Sequence, residues 1–150
     1  MLKGIDPRLN AEVLFALRAM GHGDTIVLSD TNFPSDSLAR QSVLGKLLRL
    51  DNLTSAEASE ALLSVLPLDT FVDDFAMRME IVNAPNDIPE VQREVQEKIN
   101  LSEKIPRTMI SIERFAFYEE AKKSYAVVQT GERRFYGCFI FRKGVIAPDK

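Results

Sequence analysis

The chain holds one histidine, His22, and it stands between two glycines in "MGHGDTIVLSD", residues 20–30. An imidazole with a pKa of about 6.5 both gives and takes protons at neutral pH. Glycines on either side let backbone and a small substrate approach it closely. The position reads as a loop between a helix and a strand, where functional side chains gather disproportionately. His22 is the first candidate for general acid–base work, against the plainer reading of a turn that carries a polar residue.

Other side chains suit a polar ligand. Asp30 closes the apolar run "TIVLS", and strand ends are where α/β sheets collect ligands; the simpler role is a cap for "TNFPSDS". Asp24 is the weaker acid, since "HGD" makes a turn by itself. Arg114 opens "RFAFYEEA", where a cation opposes the helix macrodipole; it either pairs with Glu113 or Glu119 or serves a ligand. Tyr118 is a core aromatic with a bonded hydroxyl or an additional site residue. Tyr136 lies in the strand-forming "FYGC", and Gly137 beside it permits close approach of a backbone or ligand. Cys138, inside an apolar strand, reads as packing.

Several chemistries are excluded. "GHGD" is followed by no phosphate-loop pattern, and no serine sits in a G-x-S-x-G elbow. One histidine and one cysteine cannot make a metal site of familiar spacing, so no metal is expected, although carboxylates alone could hold Mg²⁺ weakly.

The elements that must position these residues follow from periodicity. "NAEVLFALRAMG" places Val13, Leu14, Leu17 and Met20 on one helical face, with Asn10 as N-cap and Gly21 as the left-handed C′ residue. Thr25–Ser29 reads as a buried strand. "SLARQSVLGKLLRLDNL" is open between helix and strand. Thr54 to Glu57 form a capping box that opens a helix ended by Pro67. "AMRMEIV" alternates, so Met77, Met79 and Ile81 face inward while Arg78 and Glu80 face water. "DIPEVQREVQEKIN" is a helix with Val91, Val95 and Ile99 one turn apart. "RTMISI" is a strand, "ERFAFYEEAKKS" a helix, and the last third two strands joined by a hairpin turn at "TGER". Helix–strand alternation predicts an α/β layered fold.

The totals set limits. A chain of 150 residues with 45% hydrophobic and 27% charged residues suits one domain spanning 1–150. A net charge of −3 with dispersed basic residues offers no nucleic-acid footprint. Neither a signal peptide nor an apolar run of membrane-spanning length is present, so no membrane partner is expected. A lone cysteine suits a reducing, cytoplasmic compartment.

Taken in order, "MLKGIDPRL", "MGHGDTIVLSDTNFP", "VLPLDTFV", "ERFAFYEEAKKSYAVVQTGERRFYG" and "RKGV" resemble the fucose mutarotase family, whose sibling group is the ribose pyranases. "RFAFYE" is similar to the fucose branch. The resemblance implies a three-layer α/β/α domain of the RbsD-like type, assembled as a homo-oligomer: a pentameric ring, or two rings paired as a decamer, with the site near subunit contacts. It implies a cofactor-free isomerase that interconverts the α and β anomers of a free monosaccharide such as L-fucose by opening the ring. Under it His22 is the proton donor. Asp30, Arg114, Tyr136, Gly137 and Cys138 bind the sugar, and Tyr118 is a possible further contact. The chain departs from the family pattern at Cys138, where asparagine is usual, and at Asn32 and Asp36, in a loop that often carries histidine. The alternatives are a non-catalytic monosaccharide-binding or transport-associated protein on the same scaffold, and a ribose pyranase.

Overall fold

A computed structural model describes residues 1–148. The Asn10 side chain accepts the Val13 N–H at 2.9 Å and starts helix α1 (Ala11–Ala19). The helix ends on Met20 in an extended conformation. Gly21 is not the left-handed residue the sequence suggested: that role falls to Gly23, at φ +88°. The Asp24 carboxylate accepts the Gly21 N–H at 2.8 Å, which closes the turn one residue later than a glycine C′ would.

Strand β1 (Thr25–Ser29) follows, then a five-residue helix α2 (Ser35–Ala39) and strand β2 (Leu47–Leu50). The open stretch thus divides into both of its readings. The capping box at Thr54 and Glu57 opens α3 (Ser55–Leu63). The remaining elements are β3 (Ala76–Met79), α4 (Glu90–Ser102), β4 (Ile110–Ile112), α5 (Arg114–Lys123), β5 (Ala126–Thr130) and β6 (Phe139–Arg142).

The strands form one sheet in the order β2-β5-β1-β6-β3-β4. β2, β5 and β1 run parallel, β3 and β4 run parallel, and β6 is antiparallel to both β1 and β3. Five strands therefore share one direction, and their C-terminal ends share one edge of the sheet. Alternation in β1 assigns the layers: Ile26 and Leu28 pack with Val13 and Leu17 of α1, Leu62 of α3, and Val95 and Ile99 of α4. Val27 packs on the other face with Leu38 and Ala39 of α2 and Phe117 and Ala121 of α5. This is the expected three-layer α/β/α arrangement.

Two readings are corrected. "TGER" is no hairpin turn, because β1 lies between β5 and β6 and residues 131–138 must cross its end. β3 has no wet side: α4 covers its second face, and Arg78 is buried with its guanidinium bonded to Gln92. Strands with helices on both faces are buried throughout, so apolar–polar alternation misleads when the polar side chain finds an internal partner.

Candidate active site

At the C-terminal edge of the parallel strands lies a cavity of about 370 Å³, lined by Asp30, Asn32, Phe33, Met79, Arg114, Tyr118, Phe135, Tyr136 and Cys138. This edge is where open α/β sheets place ligands. Asp30, Arg114, Tyr136 and Cys138 are brought together here with Tyr118, and Gly137 supplies backbone just behind them.

Asp30 takes the capping role anticipated for it and stands at the cavity wall. Its Oδ1 accepts the N–H groups of Asn32 and Phe33 at 2.9 and 3.0 Å, and its Oδ2 accepts the Gly137 N–H at 3.2 Å. The carboxylate therefore clasps the loop after β1 to the loop before β6. The remaining lone pairs of the nearly buried group are what a sugar hydroxyl could use.

Arg114 has a different partner from those expected. The Glu113 carboxylate caps α5 by accepting the Phe115 and Ala116 N–H groups at 2.9 and 3.1 Å, and Glu119 pairs with Lys122 at 2.7 Å. Glu113 also offsets the cation at the helix start. Arg114 Nε instead donates to the Tyr118 hydroxyl at 2.9 Å, which holds the exposed guanidinium at the pocket mouth and raises its pKa further. The Tyr118 ring packs edge-on to Phe33, centroid to centroid 5.4 Å.

Tyr136 lies outside β6, in the left-handed region at φ +63°. Its hydroxyl accepts the Val82 N–H at 3.3 Å, so the phenolic hydrogen remains available to a ligand. Gly137 is required for close approach: a Cβ there would meet Glu132 Cγ at 2.8 Å and Ser55 Oγ at 3.1 Å. Cys138 is buried on the pocket floor with Phe33 and Met79. Burial, with the Asp30 charge beside it, pushes its thiol well above the ordinary range, so it stays neutral.

Buried Glu132 secures the crossing loop. It accepts the Ser55 N–H at the start of α3 at 3.2 Å and three bonds from Arg134, one from its backbone and two from its guanidinium, which also grips Glu94 of α4 through both terminal nitrogens. Burial works to raise the Glu132 carboxyl, and these hydrogen bonds outweigh it, holding the group below the usual carboxylate range.

His22 is elsewhere. It precedes β1, whereas Asp30 follows it, and a strand rise of about 3.3 Å per residue separates the two ends by on the order of 15–20 Å. Its Nε2 lies 3.0 Å from Asp69 Oδ2, and its ring packs edge-on to Phe71 with centroids 5.7 Å apart. A carboxylate only accepts, so the contact suits the tautomer with its proton on Nε2. Asp69 is buried and also accepts the Phe71 N–H at 3.0 Å.

Sequence reasoning gave no role to Asp69, Gln92, Glu132 or the apolar wall of Phe33, Met79 and Phe135. Asp69 stood within the quoted "VLPLDTFV", but only the fold brings it to His22. No group of three or more histidine, cysteine or acidic side chains capable of holding a metal occurs among the described residues.

Residues 3–146 match the model of the RbsD / FucU transport protein family. The chain belongs to this family. It is 46% identical to the fucose mutarotase of Bos taurus, over 99% of this chain and 96% of that protein. Among solved structures, protein Atu2016, suggested to bind sugar, superimposes with a TM-score of 0.96 at 60% identity, covering 98% of this chain and 97% of its own. The fucose mutarotase of Streptococcus pneumoniae, solved in complex with L-fucose, gives a TM-score of 0.86 at 37% identity over 97% of this chain and all of its own.

Proposed function

We propose that this chain is a monosaccharide mutarotase, a single-domain isomerase that interconverts the α and β anomers of L-fucose or a related aldose. Full-length similarity to fucose mutarotases carries the reading, and the pocket chemistry supports it. Exchanging anomers requires a proton delivered to the ring oxygen, a proton removed from the anomeric hydroxyl, and the reverse of both after the carbonyl turns over. These are proton transfers alone, so the chemistry calls for neither an electron sink nor a metal. Arg114 and Asp30 hold sugar hydroxyls, Tyr136 or a water serves the anomeric hydroxyl, and Tyr118 steadies Arg114. The neutral Cys138 thiol, with Phe33 and Met79, gives the sugar an apolar floor.

The proton donor to the ring oxygen is His22 of a second copy. Within one chain His22 lies at the opposite edge of the sheet from the pocket, and on this reading a neighbouring copy supplies the imidazole. Both edges carry apolar surface suited to such docking: Phe71, Val72, Val145 and Ile146 are exposed in the His22 region, and Phe115 and Phe135 beside the pocket. The assembly is a closed homo-oligomer, a pentameric ring or a decamer of two rings, working in the cytoplasm. No helix among the described residues is long and apolar enough to cross a membrane.

Saturation-transfer NMR on equilibrated L-fucose, with D-ribose in parallel, tests the reaction. His22→Gln and Arg114→Ala should each abolish exchange. Co-refolded at equal amounts they should restore about a quarter of the wild-type rate, since that share of interfaces unites two intact halves. No recovery would place His22 outside the shared site. Sugar binding without exchange would favour a non-catalytic sugar-binding protein, and faster exchange of ribose rings a ribose pyranase.

A further inference from the structure

Arg78 of β3 is buried, and its guanidinium bonds two neutral oxygens: Gln92 Oε1 at 3.1 Å and the Pro85 carbonyl at 3.2 Å. A guanidinium only donates, so Arg78 dictates which end of the Gln92 amide faces it. The amide nitrogen is thereby turned toward two backbone carbonyls, those of Met79 at 2.7 Å and Tyr136 at 3.1 Å. Gln92 is fully buried, and these three bonds use its oxygen and both of its hydrogens.

Tyr136 needs such support. Its left-handed backbone, at φ +63°, is costly for a residue with a bulky side chain and persists only where the surroundings over-determine it. The second terminal nitrogen of Arg78 pins Pro85, in the loop that also presents the Val82 N–H to the Tyr136 hydroxyl. One network therefore holds Tyr136 at its carbonyl and at the tip of its ring.

We propose that Gln92 is a positioning residue for Tyr136, with Arg78 fixing the orientation of its amide. The inference rests on the reading that Tyr136 serves the sugar. Gln92 touches no substrate; it sets where the phenol stands.

Gln92→Glu keeps the side-chain shape and an oxygen facing Arg78, but turns a second oxygen on the two carbonyls. In the full-length assembly it should lower kcat/KM for L-fucose anomer exchange by roughly tenfold or more, the scale of small misplacements at a site. It should also shift the ring signals of Tyr136 in ¹³C-tyrosine-labelled protein. In a Tyr136→Gly background, where glycine accepts the left-handed backbone, the same change should cost less than about twofold in exchange while lowering the melting temperature as much as it does in the otherwise wild-type protein. A general structural role would produce the full activity loss in both backgrounds, and that result overturns the proposal. So do unmoved Tyr136 signals, whatever the activity. If wild type exchanges no aldose, the mutarotase reading fails, and the ring signals still decide the role of Gln92. Should Gln92→Glu not fold, Arg78→Lys, which loses the paired guanidinium donors, should shift the same signals to a smaller degree; unshifted signals there count against the proposal equally.

Discussion

Replacing Gly137 by alanine tests whether the pocket depends on the close passage of the crossing loop. The residue is not left-handed, so the added methyl acts through space alone. Its Cβ would lie 2.8 Å from Glu132 Cγ, 3.1 Å from Ser55 Oγ and 3.4 Å from Asp30 Cβ. None of the three can yield cheaply: Glu132 is tied to Ser55 and Arg134, Ser55 Oγ donates to the Gly137 carbonyl, and Asp30 holds three backbone N–H groups. Overpacking of this kind costs about 1–3 kcal/mol. At about 2–4 °C per kcal/mol for a chain of this size, the melting temperature should fall by roughly 2–12 °C. The bond from Gly137 to Asp30 should lengthen with it, so fucose anomer exchange should drop as well. The control is Gly21→Ala, whose methyl would meet only Asp24 Oδ2 at 3.8 Å and whose effect should stay within about 0.5 kcal/mol. Thermal unfolding and saturation-transfer NMR on both variants give the comparison. A Gly137→Ala protein with wild-type melting and wild-type exchange would refute the argument that this glycine is there for space.

Other outcomes follow from the same geometry. Under the proposed mechanism, His22→Gln should cost about 10²–10⁴ in exchange rate, with little change in circular dichroism because the ring is half exposed. Glu132 is held below the ordinary carboxylate range, so its contribution is fully present above the unfolded pKa and is lost as pH falls through the folded one. Glu132→Gln should therefore lower the stability at pH 7 by about 1–3 kcal/mol of lost bonding, read as a lower melting temperature, and lessen its fall below pH 5. Cys138, buried and with its thiol pushed up, should resist iodoacetamide at neutral pH in the folded protein and react once urea unfolds it.

Asp30 shows why the candidate site was legible only in part. Its position at a strand end was readable from the apolar run before it, and so was its capping of the loop that follows. That it clasps Gly137, 107 residues away, was not readable, because the loop before β6 reaches β1 only when β1 inserts between β5 and β6. The same insertion removes the hairpin that "TGER" suggested. Arg78 misled through alternation, since a charge on a strand reads as solvent-facing until a buried glutamine opposite satisfies it.

Sequence alone determined the local elements: the cap at Asn10, the capping box at Thr54, the buried run of β1 and the apolar stripe of α4 all stand where side-chain spacing put them. Each depends on neighbours within a turn or two residues along a strand, so the information is contiguous. The order of the strands, the burial of Arg78, the Asp69 partner of His22 and the left-handed turn at Tyr136 were decided by tertiary structure. They arise from pairings between segments far apart in the chain, which local propensity does not encode. The same physics separates His22 from Asp30: a fully extended strand of five residues carries its two flanking loops to opposite edges of the sheet.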